Sequence, residues 1–176
     1  MLRDQLSSNQ IDELSMTIAN QLLKLPVWNA TFYHVFLPIE HNKEVLTDYI
    51  LSILSGKDKN IVVSKTNFEL HTMHHFLLTD NTVLKKNSYG IPEPEDGIEI
   101  SASKIEVVLL PLLAFDAYGN RVGYGKGYYD QFLSECQPNT IKVGLSFFEA
   151  EPIIDGISEN DVPLNFCVTP NTIYSF

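Results

Sequence analysis

The sequence predicts an α/β fold: a single three-layer α/β/α domain over residues 1–176 with a mostly parallel open sheet. Three observations lead there. Apolar residues recur at three- and four-residue spacing in two stretches, 7–25 and 44–54, as on one face of a helix. Ile105–Leu110 is a short apolar run, interrupted only by Glu106, rich in branched residues and bounded by Pro111, the pattern of a strand covered on both faces. Strand-like and helix-like segments alternate along the chain, which is how a parallel sheet with helices on its faces is built.

Taken in order, residues 7–25 form the first helix. Ile11, Leu14, Ile18, Leu22 and Leu25 make its stripe, Ser7 with Gln10 fits a capping box, and Pro26 ends it. Thr31–Leu37 (TFYHVFL) carries large residues on both faces and reads as a central strand, with His34 as a satisfied core residue. A second amphipathic helix starts at Glu44 and runs through Leu54, closed by Gly56. That places Glu44 in the first helical turn, just beyond a strand end, where open α/β sheets put ligand contacts. Asn60–Lys65 (NIVVSK) is a third element, a parallel strand. In Phe68–Leu78 the three histidines of HTMHH would share a face only on a helix. As a strand, which the flanking apolar residues favour, His74 points opposite to His71 and His75, and residues around Met73 line a pocket. Tyr89–Gly97 (YGIPEPEDG) holds two prolines and two glycines and reads as an irregular, relatively rigid loop; on these residues alone a solvated connection is the better reading, though Tyr89 could present its ring to a flat ligand. Tyr128–Cys136 has the spacing of a helix, Thr140–Phe147 alternates as a strand, Asp161–Asn165 is a turn, and Thr172–Phe176 closes the sheet.

Between the strand at Ile105 and the helix at Tyr128 lie Gly119, Gly123, Gly125 and Gly127, with Arg121 and Lys126 among them. A strand, a glycine-rich loop with two cations and a helix start make an anion site. Glycines let backbone N–H groups approach phosphate oxygens, and the helix N-terminus adds partial positive charge. Asp130, in the first helical turn, is favoured by the dipole and could hold a metal beside a phosphate. The pattern matches neither G-x-x-x-x-G-K-[ST] nor a dinucleotide G-x-G-x-x-G placed straight after the strand.

The whole-chain charge sharpens this. With 22 acidic against 12 basic residues the net charge is −10, a balance that repels nucleic acid and anionic lipid. One of only two arginines, Arg121, nevertheless lies in the glycine loop, so local positive charge is concentrated there. No apolar run approaches the ~20 residues of a membrane span and no signal peptide is evident. Two distant cysteines, Cys136 and Cys167, indicate neither a disulfide framework nor a zinc site, so a reduced, cytoplasmic protein is expected. A monomer is expected separately from this.

The string from Pro111 to Leu133, P-x-L-A-F-D-x-x-G-N-R-x-G-Y-G-K-G-Y-Y-D-x-F-L, resembles the signature of the 5-formyltetrahydrofolate cyclo-ligase (5,10-methenyltetrahydrofolate synthetase) family. Weaker likenesses extend it over nearly the whole chain. FLPIEHNKEVLTD is similar to that family's first-strand-to-helix region, implying substrate contacts at Leu37 and Glu44. YGIPEP resembles its (Trp/Tyr/Phe)-x-I-P-x-P loop, implying Tyr89 beside the folate. ENDVPLN resembles its N-D/H-D-x-P segment, implying Asp161 as a second magnesium carboxylate after Asp130. The start departs from the pattern: the family opens with K-x-x-x-R, and Met1-Leu2-Arg3 aligns downstream of it. A shortened N-terminal ATP-binding helix is therefore expected: either the true start lies upstream, or ATP is bound without those cations. Asn165 also stands where many members have aspartate.

The resemblance implies an ADP-forming ligase with ATP and Mg2+ as cofactors. Its substrate would be 5-formyltetrahydrofolate, with or without a polyglutamate tail, and its product 5,10-methenyltetrahydrofolate. Arg121 and Lys126 would be the catalytic cations. ATP would be held by Arg121, Gly123, Tyr124, Gly125, Lys126, Gly127, Tyr128 and Tyr129. The folate would be held by Leu37, Glu44, Met73, Tyr89, Tyr124, Gly125, Lys126, Gly127 and Tyr128, and the metal by Asp130 and Asp161. The alternative is a non-catalytic folate- or nucleotide-binding module, to which the missing N-terminal cations point. A different enzyme on a similar sheet would have no use for the Tyr-Tyr-Asp that follows the glycines.

Overall fold

A computed structural model describes residues 2–176. A 3-10 turn, Leu2–Gln5, precedes α1 (Ser8–Leu22), whose capping box forms as expected: Ser7 Oγ accepts from Gln10 N and the Gln10 side chain from Ser7 N. The helix stops at Leu22, short of Leu25, because Pro26 disfavours helical backbone at the residue before it. The strands and remaining helices follow as β1 (Phe32–His34), α2 (Asp48–Gly56), β2 (Asn60–Asn67), β3 (Thr72–Leu77), β4 (Leu84–Lys86), β5 (Pro92–Pro94), β6 (Val107–Pro111), β7 (Ala114–Phe115), β8 (Arg121–Val122), α3 (Tyr128–Glu135), β9 (Ile141–Leu145), β10 (Phe166–Val168) and β11 (Ile173–Ser175).

Seven of these strands form one sheet in the order β11-β10-β9-β6-β1-β2-β3. The five inner strands pair in parallel, and antiparallel β11 and β3 close the edges. β6 shows why this is a three-layer fold. Val107 and Leu109 pack with α1 and α2 on one face, while Val108 and Leu110 pack with Phe132 and Leu133 of α3 on the other. Both faces are dry, so the strand is apolar throughout rather than alternating. In the neighbouring strand Gly144 has no room for a side chain: a Cβ there would lie 2.5 Å from Leu112 Cδ2 and 2.8 Å from Leu164 Cδ1.

Four features differ from the sequence expectations. The second helix begins at Asp48, not Glu44; a 3-10 turn at Glu40–Asn42 and left-handed Lys43 (φ 49°) come first. Glu44 cannot join the helix because its carboxylate is turned back to accept from Ile39 N. The YGIPEPEDG loop is partly regular, with β5 pairing β4. A short hairpin, β7–β8, leads into the glycine loop around Asp116, which accepts from Tyr118 N, Asn120 N, Asn120 Nδ2 and Ile154 N. Finally, β10 was not foreseen: three residues are too few to show a period, and only their pairing with β9 makes them a strand.

Candidate functional site

Chain direction across the sheet sets the position of the site. From β1 the chain crosses α2 to β2 on one side; from β6 it crosses α3 to β9 on the other. The crevice between the carboxyl ends of β1 and β6 is a topological switch point, where open α/β sheets bind ligands. A cavity of about 660 Å³ lies there, within the usual size of a small-molecule site. Every residue named above as a ligand contact lines it: Leu37, Glu44, Met73, Tyr89, Arg121, the run Gly123–Asp130, and Asp161.

The glycine loop forms one wall. Gly125 and Gly127 take left-handed backbone (φ 76° and 67°), and Gly127 is the N-cap of α3, so the helix opens directly onto the cavity. Lys126 lies with Nζ 4.6 Å above the Tyr89 ring centre. Tyr89 also meets Phe68 at 4.7 Å, and His71 stacks on Tyr128 at 4.2 Å. These rings form an aromatic rim drawn from the β2–β3 hairpin, the proline loop and α3. Tyr129 turns towards the core against His34 and Phe132. Burial pushes its phenol well above the ordinary tyrosine range.

Arg121 differs from the expected free cation. Its side chain is 7% exposed, with Nη2 donating to Asp130 Oδ1 at 2.8 Å and Nη1 to the Val162 carbonyl. Arg121 is thus spent on tying α3 to the segment carrying Asp161. Asp130 Oδ1 also accepts from Val162 N, and Asp161 Oδ2 accepts from Ser158 N. Each carboxylate keeps its other oxygen uncommitted among the described residues. No group of three or more His, Cys, Asp or Glu side chains able to hold a metal occurs among them either. A magnesium ion here would have two hard carboxylate oxygens and would complete its shell with water and phosphate, which is how that ion is usually held. The donor set fits.

On the opposite wall Glu44 is 3% exposed. Tyr124 OH donates to its Oε1 at 2.6 Å, and Ile39 N to its Oε2 at 2.7 Å. Burial raises the Glu44 carboxyl; the Tyr124 and Ile39 hydrogen bonds and the charges of Arg3 and His41 oppose that rise. The same burial, with the Glu44 charge, pushes Tyr124 up to about 12. Beneath the floor, His34 Nε2 and His75 Nδ1 each lie 2.8 Å from Ser64 Oγ. His34 is therefore a core residue, as expected. His74 and His75 do point oppositely: His74 meets Glu99 in solvent, while His75 packs on Phe132.

Sequence reasoning missed Phe68, His41 and the segment Ile154–Ile157, all of which line the cavity. None carries a periodic or motif signal; loop closure alone delivers them.

The sequence matches the 5-formyltetrahydrofolate cyclo-ligase family over residues 1–170. Among curated relatives, the probable 5-formyltetrahydrofolate cyclo-ligase of Schizosaccharomyces pombe is 28% identical, with 96% of this chain and 90% of that protein aligned. The 5-formyltetrahydrofolate cyclo-ligase of Haemophilus influenzae is 26% identical over 93% and 89%. The NMR structure of Aquifex aeolicus 5,10-methenyltetrahydrofolate synthetase superimposes with a TM-score of 0.83 at 25% identity, covering 98% of this chain and 86% of that one.

Proposed function

The chain belongs to the 5-formyltetrahydrofolate cyclo-ligase family, and from that premise we propose an ATP- and magnesium-dependent cyclisation of 5-formyltetrahydrofolate to 5,10-methenyltetrahydrofolate. A formamide is a weak electrophile because its nitrogen lone pair is delocalised into the carbonyl. The phosphoryl donor supplies activation: transfer to the formyl oxygen makes that oxygen a leaving group, so attack by the second folate nitrogen closes the five-membered ring and expels phosphate. Little covalent chemistry is left to the protein, whose share is placement and charge stabilisation.

Lys126 and the backbone N–H groups of Gly123–Gly127 take the polyphosphate, and the α3 N-terminus adds its partial charge. The uncommitted oxygens of Asp130 and Asp161 take magnesium. Arg121 fixes Asp130 and Val162 so that the two carboxylates stay on one side of the loop. The Tyr89, Phe68 and Tyr128 rings wall the reduced pterin and exclude water, with Met73 and Leu37 beside them, while Glu44 accepts from N–H groups on the pterin's polar edge. One observation carries this: the glycine loop, its lysine, two carboxylates and a buried glutamate all line a single cavity at the switch point.

The test is to mix the protein with 5-formyltetrahydrofolate and MgATP and follow the near-ultraviolet absorbance of the methenyl product. Turnover that requires both ATP and magnesium supports the proposal. Tight binding without turnover would replace it with a non-catalytic folate- or nucleotide-binding module.

A further inference from the structure

Arg3 lies in the opening 3-10 turn, yet it is only 8% exposed. Its Nη2 donates to Tyr124 OH at 3.0 Å, and its guanidinium carbon lies 5.9 Å from the centre of the Tyr124 ring. Tyr124 OH in turn donates to Glu44 Oε1. Guanidinium, phenol and carboxylate thus form a relay from the first turn through the glycine loop to the opposite wall. The turn is itself clamped: Lys43 Nζ donates to the carbonyls of Asp4 at 2.8 Å and Leu6 at 2.7 Å. Lys43 is the residue before Glu44, so one connection anchors both ends of the relay.

We propose that Arg3 is a positioning residue for the folate end of the cavity, holding Glu44 through Tyr124 as an oriented carboxylate that accepts N–H groups of the substrate. A carboxylate has about four acceptor positions on two oxygens. Tyr124 and Ile39 each occupy one, on different oxygens, leaving one on each oxygen for a pair of adjacent N–H donors such as an aminopyrimidine edge presents. That arrangement works only while Glu44 is ionised, and burial opposes ionisation. The groups facing Glu44 are Arg3 from the opening turn, Tyr124 from the glycine loop, Tyr129 from α3 and His41 from its own connection. Arg3 is the permanent cation among them. Its hydrogen bond also stops the Tyr124 hydroxyl from rotating away. This role assigns Arg3 to folate recognition rather than to the phosphate end.

The inference rests on the folate contact proposed for Glu44, so the experiment begins with Glu44→Gln. Equilibrium dialysis without ATP gives the Kd for 5-formyltetrahydrofolate, and steady-state assays give KM for each substrate, kcat and the pH profile. If Glu44→Gln binds folate as tightly as the unmodified protein, the Glu44 contact is wrong and Arg3 loses its role with it. Where Glu44→Gln weakens folate binding, Arg3→Ala is expected to raise the folate Kd and KM about tenfold, the scale of a lost charge-assisted hydrogen bond. The KM for ATP should move less than about twofold, and the acid limb of kcat/KM for folate should shift to higher pH. Arg3→Lys should recover part of the loss. Tyr124→Phe keeps the ring and should match Arg3→Ala, with the double variant no worse than either alone because both break one relay. An unchanged folate Kd in Arg3→Ala, a loss confined to the KM for ATP, or additive losses in the double variant would each overturn the inference.

Discussion

At the scale of single residues, the glycine loop has two cations with different fates. Both share the loop in sequence, but Arg121 is consumed by Asp130 and Val162 whereas Lys126 stays on the rim. The physical reason is geometric: a planar five-donor fork can bridge a carboxylate and a carbonyl at once, while an ammonium on a flexible stem is free to follow a ligand. Lys126→Ala is therefore expected to lower kcat/KM by about a hundredfold or more, the order of one lost transition-state contact worth about 3–4 kcal/mol. The methenyl assay checks it, and near-normal turnover would remove Lys126 from the phosphate site. Asp130→Asn is expected to raise the magnesium concentration needed for half-maximal rate, read from a magnesium titration; an unmoved midpoint would count against a metal role. No sequence pattern distinguished the two cations, because the distinction depends on Val162, forty-one positions away in the chain.

At the scale of elements, what was legible followed from length and periodicity. α1, with its capping box, and α3 came close to their expected spans, as did β6 and β9, each long enough or apolar enough to declare itself. The start of α2 and the existence of β4, β5 and β10 were not legible, since they depend on a buried carboxylate turning back on Ile39 and on pairing partners remote in sequence. Gly144 makes the same point inside a correctly expected strand. Its replacement by alanine drives a methyl group against Leu112 and Leu164. A destabilisation of about 1–3 kcal/mol is expected from this overpacking, measured by urea unfolding. A variant as stable as the parent would mean that those two leucines yield freely.

At the scale of the whole molecule, the sheet separates two dry layers and holds an uncharged histidine pair between β1, β2 and β3. Burial first, then the neighbouring His75, pushes His34 down to about 3; burial pushes His75 down to about 4. Both folded values lie below the ordinary histidine value of 6.5, so the unfolded chain binds more protons between about pH 4 and 6.5. The sign follows: the stability from keeping these rings neutral is fully present above about pH 6.5 and is lost as pH falls through that window, by up to about 1.4 kcal/mol per pH unit for each ring. Urea unfolding at pH 7 and pH 5 should show this slope, and His75→Phe should reduce it; an identical slope in the variant would exclude the pair as its source. No helix among the described residues is long and apolar enough to cross a membrane, in keeping with hydrophobic runs interrupted at element length. By itself the sequence determined the layered α/β class, because periodicity is a local property of the chain, and its glycine-rich signature, with the family likeness that signature carries, gave part of the cavity lining but not Phe68, His41 or Ile154–Ile157. Only the tertiary structure decided which cation is free, that Glu44 stands outside its helix, and that Arg3 reaches it through Tyr124. Those outcomes depend on desolvation and hydrogen bonding between segments up to 121 positions apart, which no local pattern encodes.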